Sequence, residues 1–202
     1  VAKDFLTLIS FSRGIGGKYL MTATGIVRRI DDLGRIVVPK EIRRVLRIKE
    51  GDPMEIFTNR EGEILLKKYS PIGELREFAG SYAESLYQTT GHPVCITDRD
   101  SVVAAAGPKR REYDGKPLTA ELEKLMERRE SSHADAGEAS FIKVTPDEAE
   151  DSCAQAIATI ICSGDAVGAV VLSGKNRAKW QPEAAMQLVR TAAQFLGKQM
   201  EL

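Results

Sequence analysis

Residues 22–69 place the tightest limit on what this chain can become. They read as short extended runs wrapped around one very short helix. Residues 25–30 are rich in branched side chains, and 35–38 form a second short strand. Between them, Asp31-Asp32-Leu33-Gly34 is a turn, because aspartate bonds its own backbone and glycine accepts a left-handed conformation. Pro39 suits the first position of a helix that runs to about residue 46. After a turn at Gly51-Asp52, residues 54–58 and 64–68 are two strands around Asn59-Arg60-Glu61-Gly62, a hairpin signal. A segment of about 48 residues is too small to bury a comfortable core by itself. It is therefore expected to fold as an interleaved dimer.

The short helix also carries charge in a particular pattern. Lys40, Arg43, Arg44 and Arg47 fall at i, i+3, i+4 and i+7 and line one face, while Ile42, Val45 and Leu46 fall on the other. Like charges at these spacings repel by roughly 0.2–0.5 kcal/mol per pair. Stability gives no reason to gather them, and a polyanionic partner would. Arg28 and Arg29 are neighbours in the first strand and so point to opposite faces, and Arg35 follows the turn. The planar fork of arginine can engage two acceptors on a guanine edge or a phosphate, which lysine does not imitate. The competing reading is a solvated face with salt bridges to Glu41, Glu50 or Asp31, and on charge alone the two readings are evenly matched. The formal net charge of zero conceals an asymmetry: residues 22–70 hold 11 Lys and Arg against 8 Asp and Glu, whereas 71–202 hold 15 against 20. A basic segment joined to an acidic one suggests that one part touches a polyanion while the other senses or assembles.

Residues 71–202 read as a second domain. A helix over 71–91 carries an apolar stripe at Leu75, Phe78, Ala79, Tyr82 and Leu86, with Pro71 at its start and Gly91 at its stop. A last helix over 182–200 repeats the stripe at Ala185, Leu188, Val189, Ala192, Phe195 and Leu196. Between them come strands at 94–97 and 102–106, a helix over 118–129, a loop at 131–137, and strands at 141–144, 154–162 and 167–173. The fold class expected is α+β, with an antiparallel sheet backed by helices on one side. Residues 1–21, broken by Gly14-Ile15-Gly16-Gly17, are expected to be an N-terminal extension, either a disordered arm or a stretch upstream of a natural start at Met21. No apolar stretch approaches the roughly 20 residues of a membrane span, and the run at 5–11 has no cleavage pattern after it. Cys95, Cys153 and Cys162 form no C-x-x-C pair, which suits free thiols in a cytosol, and with His92 and His133 they make no metal spacing. No cofactor is expected. Asp31-Asp32 reads as a turn cap rather than a catalytic pair, Gly14-x-Gly-Gly lacks the lysine of a phosphate loop, and no nucleophile–base frame exists, so an enzyme is not expected.

The run Thr24-Gly-Ile-Val-Arg-Arg-Ile-Asp-Asp-Leu-Gly-Arg-Ile-Val-Val-Pro-Lys-Glu-Ile-Arg-Arg-Val-Leu-Arg-Ile48 resembles the swapped-hairpin DNA-binding domain of the AbrB/SpoVT family, and Gly51-Asp-Pro-Met-Glu-Ile-Phe with Ile64-Leu-Leu-Lys-Lys-Tyr continues the match. The resemblance implies an intertwined dimer at 22–70 whose arginines enter the major groove of double-stranded DNA. On this chain those are Arg28, Arg35, Arg43 and Arg44, with Arg29, Lys40 and Arg47 added from the position of their charge. Lys67-Lys-Tyr-Ser-Pro-Ile, the Gly164-Asp-Ala-Val-Gly-Ala-Val-Val hairpin and the final helix resemble those members in which a GAF-like domain follows, here 71–202. That implies a cytoplasmic, nucleoid-associated transcription regulator of sporulation and forespore genes that both activates and represses. It also implies a homotetramer of two dimers joined through helices of the GAF-like domains. An antitoxin that neutralises a toxin partner is the alternative, since antitoxins share the swapped-hairpin fold, and a cytosolic ligand-binding module is a third. Cys95, Cys162, His92 and Tyr113 are the candidates for touching an unknown small ligand, each more often plain core or surface. Alanine and valine at 94–106 and 154–171 would either pack densely or open a cavity. Sensor and assembly domain remain equally open.

Overall fold

The computed structural model describes residues 26–108, 110–149 and 151–201, so the expectations for residues 1–21 and for Gly25 lie outside the described residues. The chain divides into two compact units, Val1–Ile48 and Lys49–Leu202.

In the first unit, the turn after Ile30 forms as expected. The Asp31 N–H donates to the Arg35 carbonyl at 3.1 Å, the Gly34 N–H donates to the Asp31 carbonyl at 3.0 Å, and Gly34 has φ +75°. The flanking segments 26–30 and 35–38 do not pair into a ladder within the chain, contrary to the two strands expected there. A lone two-stranded hairpin with no third strand or core against it is marginal in water. Val27, Leu33 and Val37 are 87%, 69% and 73% exposed, so nothing among the described residues covers the side chains that would hold such a ladder. The helix α1 (Lys40–Val45) is shorter than the expected 39–46, and Pro39 is its N-cap, one residue before the helix, rather than its first residue.

The second unit opens with β1 (Met54–Thr58) and β2 (Ile64–Lys68), paired antiparallel from Met54↔Lys68 to Thr58↔Ile64. The expected bounds hold for both. The Asn59 side chain turns the hairpin by accepting from the Glu61 and Glu63 N–H groups, and Gly62 has φ +83°. The expected helix over 71–91 is present in two pieces, α2 (Pro71–Glu74) and α3 (Arg76–Thr90), split at Leu75. Ser70 caps α2 through the Gly73 N–H, and Gly91 ends α3 in the left-handed region with φ +69°.

Strands β3 (Val94–Thr97), β4 (Val102–Ala106), β5 (Ser131–Asp135), β6 (Ala154–Cys162) and β7 (Asp165–Gly174) build one antiparallel sheet in the order β4-β3-β7-β6-β5. Two short helices, α4 (Arg110–Tyr113) and α5 (Ala120–Glu127), lie between β4 and β5, and α6 (Pro182–Gln199) closes the unit. One sheet face, with Val94, Ile96, Ala156, Ala158, Ile160, Val170 and Leu172, packs on Ala79 and Ala83 of α3 and Val189, Ala192 and Leu196 of α6. The other, with Cys95, Ile157, Ala169 and Val171, packs on Leu122, Leu125 and Met126 of α5. Helices therefore cover both faces, not one as expected. The continuous apolar character of β6 and β7 follows from burial on both sides.

Two further expectations change. Residues 131–137 were expected to be a loop, yet Ser131–Asp135 is the edge strand β5, paired with Ala154–Ala158 of β6. Its polar composition, Ser-Ser-His-Ala-Asp, fits an edge strand that is largely half-buried and hides the strand from hydropathy. Conversely, 141–144 was expected to be a strand and is not. The buried Gln155 amide satisfies that backbone instead, accepting from the Ile142 N–H at 2.6 Å and donating to the Ile142 carbonyl at 2.7 Å. A side chain thus does the work a neighbouring strand would do.

Small residues set how close α6 comes to the sheet. A Cβ at Gly197 would lie 2.1 Å from the Ile161 carbonyl oxygen, whereas one at Gly80 in α3 meets nothing within 4 Å. Alanine is favoured over glycine in a helix by about 1 kcal/mol, and a backbone collision costs about 1–3 kcal/mol. Gly80→Ala is therefore expected to raise stability by about 1 kcal/mol and Gly197→Ala to lower it, both read by chemical denaturation; a stabilised Gly197→Ala contradicts the close approach.

Candidate nucleic-acid interface

Asp31 organises the turn that presents Arg35. Its Oδ1 accepts from the Leu33 N–H at 3.0 Å and the Arg35 N–H at 2.8 Å, while its Oδ2 takes the Arg35 Nε at 2.8 Å. Arg35 is thus held through Nε in these contacts. The Arg35 backbone N–H first, and its guanidinium second, hold the Asp31 carboxyl below its ordinary range. Of the salt bridges that the solvated-face reading required, this one exists.

The other expected contact residues are exposed. Arg28 and Arg29 lie on the unpaired segment before the turn, so the opposite faces expected for them in a strand are not formed within one chain. Lys40, Arg43 and Arg44 stand on α1, and among the described residues none of these five makes an ion pair. Arg43 and Arg44 sit in the last helical turn, where positive charge complements the helix dipole. Arg47 departs from the expected pattern. The helix ends at Val45, and Arg47 takes a left-handed backbone with φ +51°. The Ile48 N–H then donates to the Arg43 carbonyl at 2.8 Å and the Arg47 N–H to the Arg44 carbonyl at 3.4 Å, a Schellman ending with arginine where glycine is usual. Arg47 is therefore not the i+7 member of a continuous helical face. Its backbone bears roughly 1 kcal/mol of strain that glycine would not. Spacing alone could not reveal this, because the stop depends on backbone geometry.

The ligand candidates of the second unit are not brought together as a set. Cys95 and Tyr113 both line a cavity of about 40 Å³ that Asp151 and Lys175 also border. That is close to the volume of a single water molecule. Around Cys95 and Tyr113 the strands pack densely, whereas a more open cleft of about 300 Å³ lies beside Ala158, Thr159 and Ile161 of β6, bordered by Arg190, Gln194 and Lys198 of α6. Burial first, then the Glu148 carboxylate, push the Cys95 thiol and the Tyr113 phenol up from their ordinary values. The Tyr113 hydroxyl donates to Glu148 Oε1 at 3.0 Å. His92 lies elsewhere, edge-on to Trp180 with ring centroids 5.1 Å apart, and Cys162 ends β6. Among the described residues no group of three His, Cys, Asp or Glu side chains is placed to hold a metal, and no helix is long and apolar enough to cross a membrane.

A family model described as "Stage V sporulation protein T C-terminal, transcription factor" matches residues 74–201, and one described as "Antidote-toxin recognition MazE, bacterial antitoxin" matches residues 27–74. Stage V sporulation protein T of Bacillus subtilis (strain 168) is 48% identical over 181 residues, covering 90% of this chain and 99% of that protein. The transition state regulatory protein AbrB of the same organism is 55% identical over 51 residues, 25% of this chain and 52% of AbrB. Among solved structures, a type II free methionine-R-sulfoxide reductase from Thermoplasma acidophilum matches 64% of this chain and 94% of its own with a TM-score of 0.51 at 9% identity, a likeness of fold alone.

Removing the Arg35 side chain leaves its backbone bond to Asp31. Arg35→Ala is therefore expected to raise the Asp31 pKa toward, but not to, its ordinary 3.8, as followed by carboxyl-carbon NMR. Because the folded value is depressed, the turn's contribution from Asp31 is present above that ordinary value and is lost as pH falls through the depressed one. An unchanged titration in the variant removes the Arg35–Asp31 pairing.

Proposed function

Since this chain belongs to the stage V sporulation protein T family, we propose that it is a sequence-specific DNA-binding regulator of sporulation and forespore transcription, activating some genes and repressing others. The observation that carries the reading is the set Arg28, Arg29, Lys40, Arg43 and Arg44, exposed and without ion-pair partners in a chain whose net charge is zero. The solvated-face alternative called for carboxylate partners, and these cations have none. DNA phosphates and guanine edges supply the missing acceptors.

The acting unit is residues 22–70 as a symmetric, intertwined dimer. Exposed Ile26, Val27, Ile30, Leu33, Ile36 and Val37 support this, together with Ile56 and Ile64 on the hairpin. Burying each against a partner copy is worth about 1.5–3 kcal/mol, and the unpaired segments 26–30 and 35–38 would find their ladder partners there. The dimer doubles Arg28, Arg35, Arg43 and Arg44 at the major groove, with Arg29, Lys40 and Arg47 closer to the phosphates. Residues 71–202 form the GAF-like regulatory and assembly domain. Phe78, Tyr82 and Phe195 form an aromatic cluster between α3 and α6, with centroids 5.5–6.4 Å apart, and the two phenylalanines are exposed. This cluster is the seam through which two dimers join as a tetramer. The protein works in the cytoplasm, on the nucleoid, as a binding protein rather than an enzyme. The antitoxin reading draws on the match over residues 27–74; co-purification with a toxin from the native cell would favour it.

Arg43→Ala with Arg44→Ala is expected to abolish specific promoter binding in titrations at two salt concentrations while the oligomer persists. Unchanged affinity sinks the DNA reading. The wild type should lose affinity with salt at a slope of about −0.9 per phosphate neutralised. Phe78→Glu with Phe195→Glu is expected to reduce the tetramer to a dimer in light scattering; a persisting tetramer places the seam elsewhere.

A further inference from the structure

Lys68 is the last residue of β2 and stands three residues before α2 begins. Its ammonium lies 2.9 Å from Asp52 Oδ2, in the turn that leads into β1, and it also pairs with Asp100 in the turn between β3 and β4. The three side chains are 20%, 6% and 21% exposed, so solvent screens this triad far less than an ordinary surface pair. Burial opposes the charge on Lys68, yet the bonds to Asp100 and Asp52 outweigh it and raise the lysine above its ordinary value. Beside the triad, the Ser70 hydroxyl donates to Asp98 Oδ2 at 3.2 Å, and Asp98 Oδ1 accepts from the Asp100 and Ser101 N–H groups. The β3–β4 turn is thereby ordered around the end of β2.

A second tie runs from the same open end of the hairpin, on its β1 side. The Lys49 N–H donates to Asp52 Oδ2 at 2.7 Å, and the Lys49 ammonium bonds Glu123 at 2.9 Å and Glu127 at 3.4 Å on α5. Asp100 also reaches α5 through the backbone, since its carbonyl accepts from the Leu118 N–H at 2.9 Å, two residues before α5 starts. Helix α5 is the cover of the sheet face that carries Cys95, Ile157 and Val171. Both ties therefore converge on one element, and both hold the β1–β2 hairpin. Four carboxylates and two lysines in these positions are more than a surface helix needs, and the least exposed of them lie where hairpin and sheet turn meet.

We propose that Lys49, Lys68 and Asp100 are positioning residues that lock the β1–β2 hairpin to α5 and the β3–β4 turn, so that the seating of α5 on its sheet face sets DNA binding. This rests on the DNA-binding reading given above. Anything that lifts α5, a molecule entering under it included, draws Glu123 and Glu127 from Lys49 and strains the Asp100 contact at the same time. The hairpin then loses its fixed seat while the α3–α6 side of the sheet is undisturbed.

The full chain tests this with Asp100→Asn, which keeps shape and removes charge, and independently with Lys49→Gln at a side chain exposed enough to be safe for folding. Asp165→Asn, whose carboxylate makes a long 3.9 Å surface pair with Arg129, is the control for charge loss alone. Two readouts are taken, amide hydrogen exchange of the DNA-free protein and promoter titration. Both variants should speed exchange over residues 54–68 at least tenfold with α6 unchanged, and weaken promoter binding at least fivefold, whereas Lys68→Arg and the control should match the wild type in both. Exchange over 54–68 equal to the control overturns the clamp. Faster exchange with promoter affinity within twofold of wild type overturns its control of DNA binding. If Arg43→Ala with Arg44→Ala also binds promoter normally, the DNA-binding reading has failed, and the exchange result still decides the clamp by itself.

Discussion

The antiparallel ladder from Ala154↔Gly174 to Cys162↔Asp165 puts β6 and β7 at the middle of a sheet that is buried on both faces. Two faces without water leave no room for the alternation of a half-exposed strand, so both strands carry apolar and small residues almost without a break. Small residues in turn let helices approach closely, with Gly197 of α6 against the Ile161 carbonyl. Beside Cys95 and Tyr113 the packing leaves a cavity of only about 40 Å³. The five-stranded sheet is in this sense complete: its apolar faces find their partners inside the chain.

The first unit is the opposite case. It has a well-bonded turn at Asp31–Arg35 and one six-residue helix, and its branched side chains stay outside. Among the described residues, Arg28, Arg29, Lys40, Arg43 and Arg44 likewise make no ion pair. Two kinds of unmet demand, apolar and electrostatic, thus lie on the same short stretch of chain. A second copy of the chain answers the first and a polyanion answers the second. This is why dimerisation and DNA binding belong to one proposal.

Much of this was legible in the residues. The bounds of β1, β2, β3, β4 and β6 agree with the expected 54–58, 64–68, 94–97, 102–106 and 154–162, because hydrophobic runs flanked by turn residues carry that information locally. Gly91 as a helix stop and the Asn59–Gly62 turn follow from backbone chemistry that each residue carries with it. Strand β5 was invisible because an edge strand of Ser, His and Asp has no hydropathy signal, and residues 141–144 misled because an alternating apolar pattern does not say whether a strand or a glutamine amide will meet its backbone. Of the site, the cationic pattern was legible residue by residue, whereas the Asp31–Arg35 pairing and the left-handed Arg47 were not.

By itself the sequence raised the expectation that residues 22–69 do not fold alone, placed Lys40, Arg43 and Arg44 at helical spacing, and marked the two apolar-striped helices that bracket the second domain. These are properties of length, charge and periodicity, which need no neighbours to exist. Only the tertiary structure decided which face of the sheet each helix covers, how little space lies beside Cys95 and Tyr113, and that Lys68 stands between Asp52 and Asp100. Those depend on residues 16 to 48 positions apart in the chain meeting in space, and no local pattern specifies the meeting.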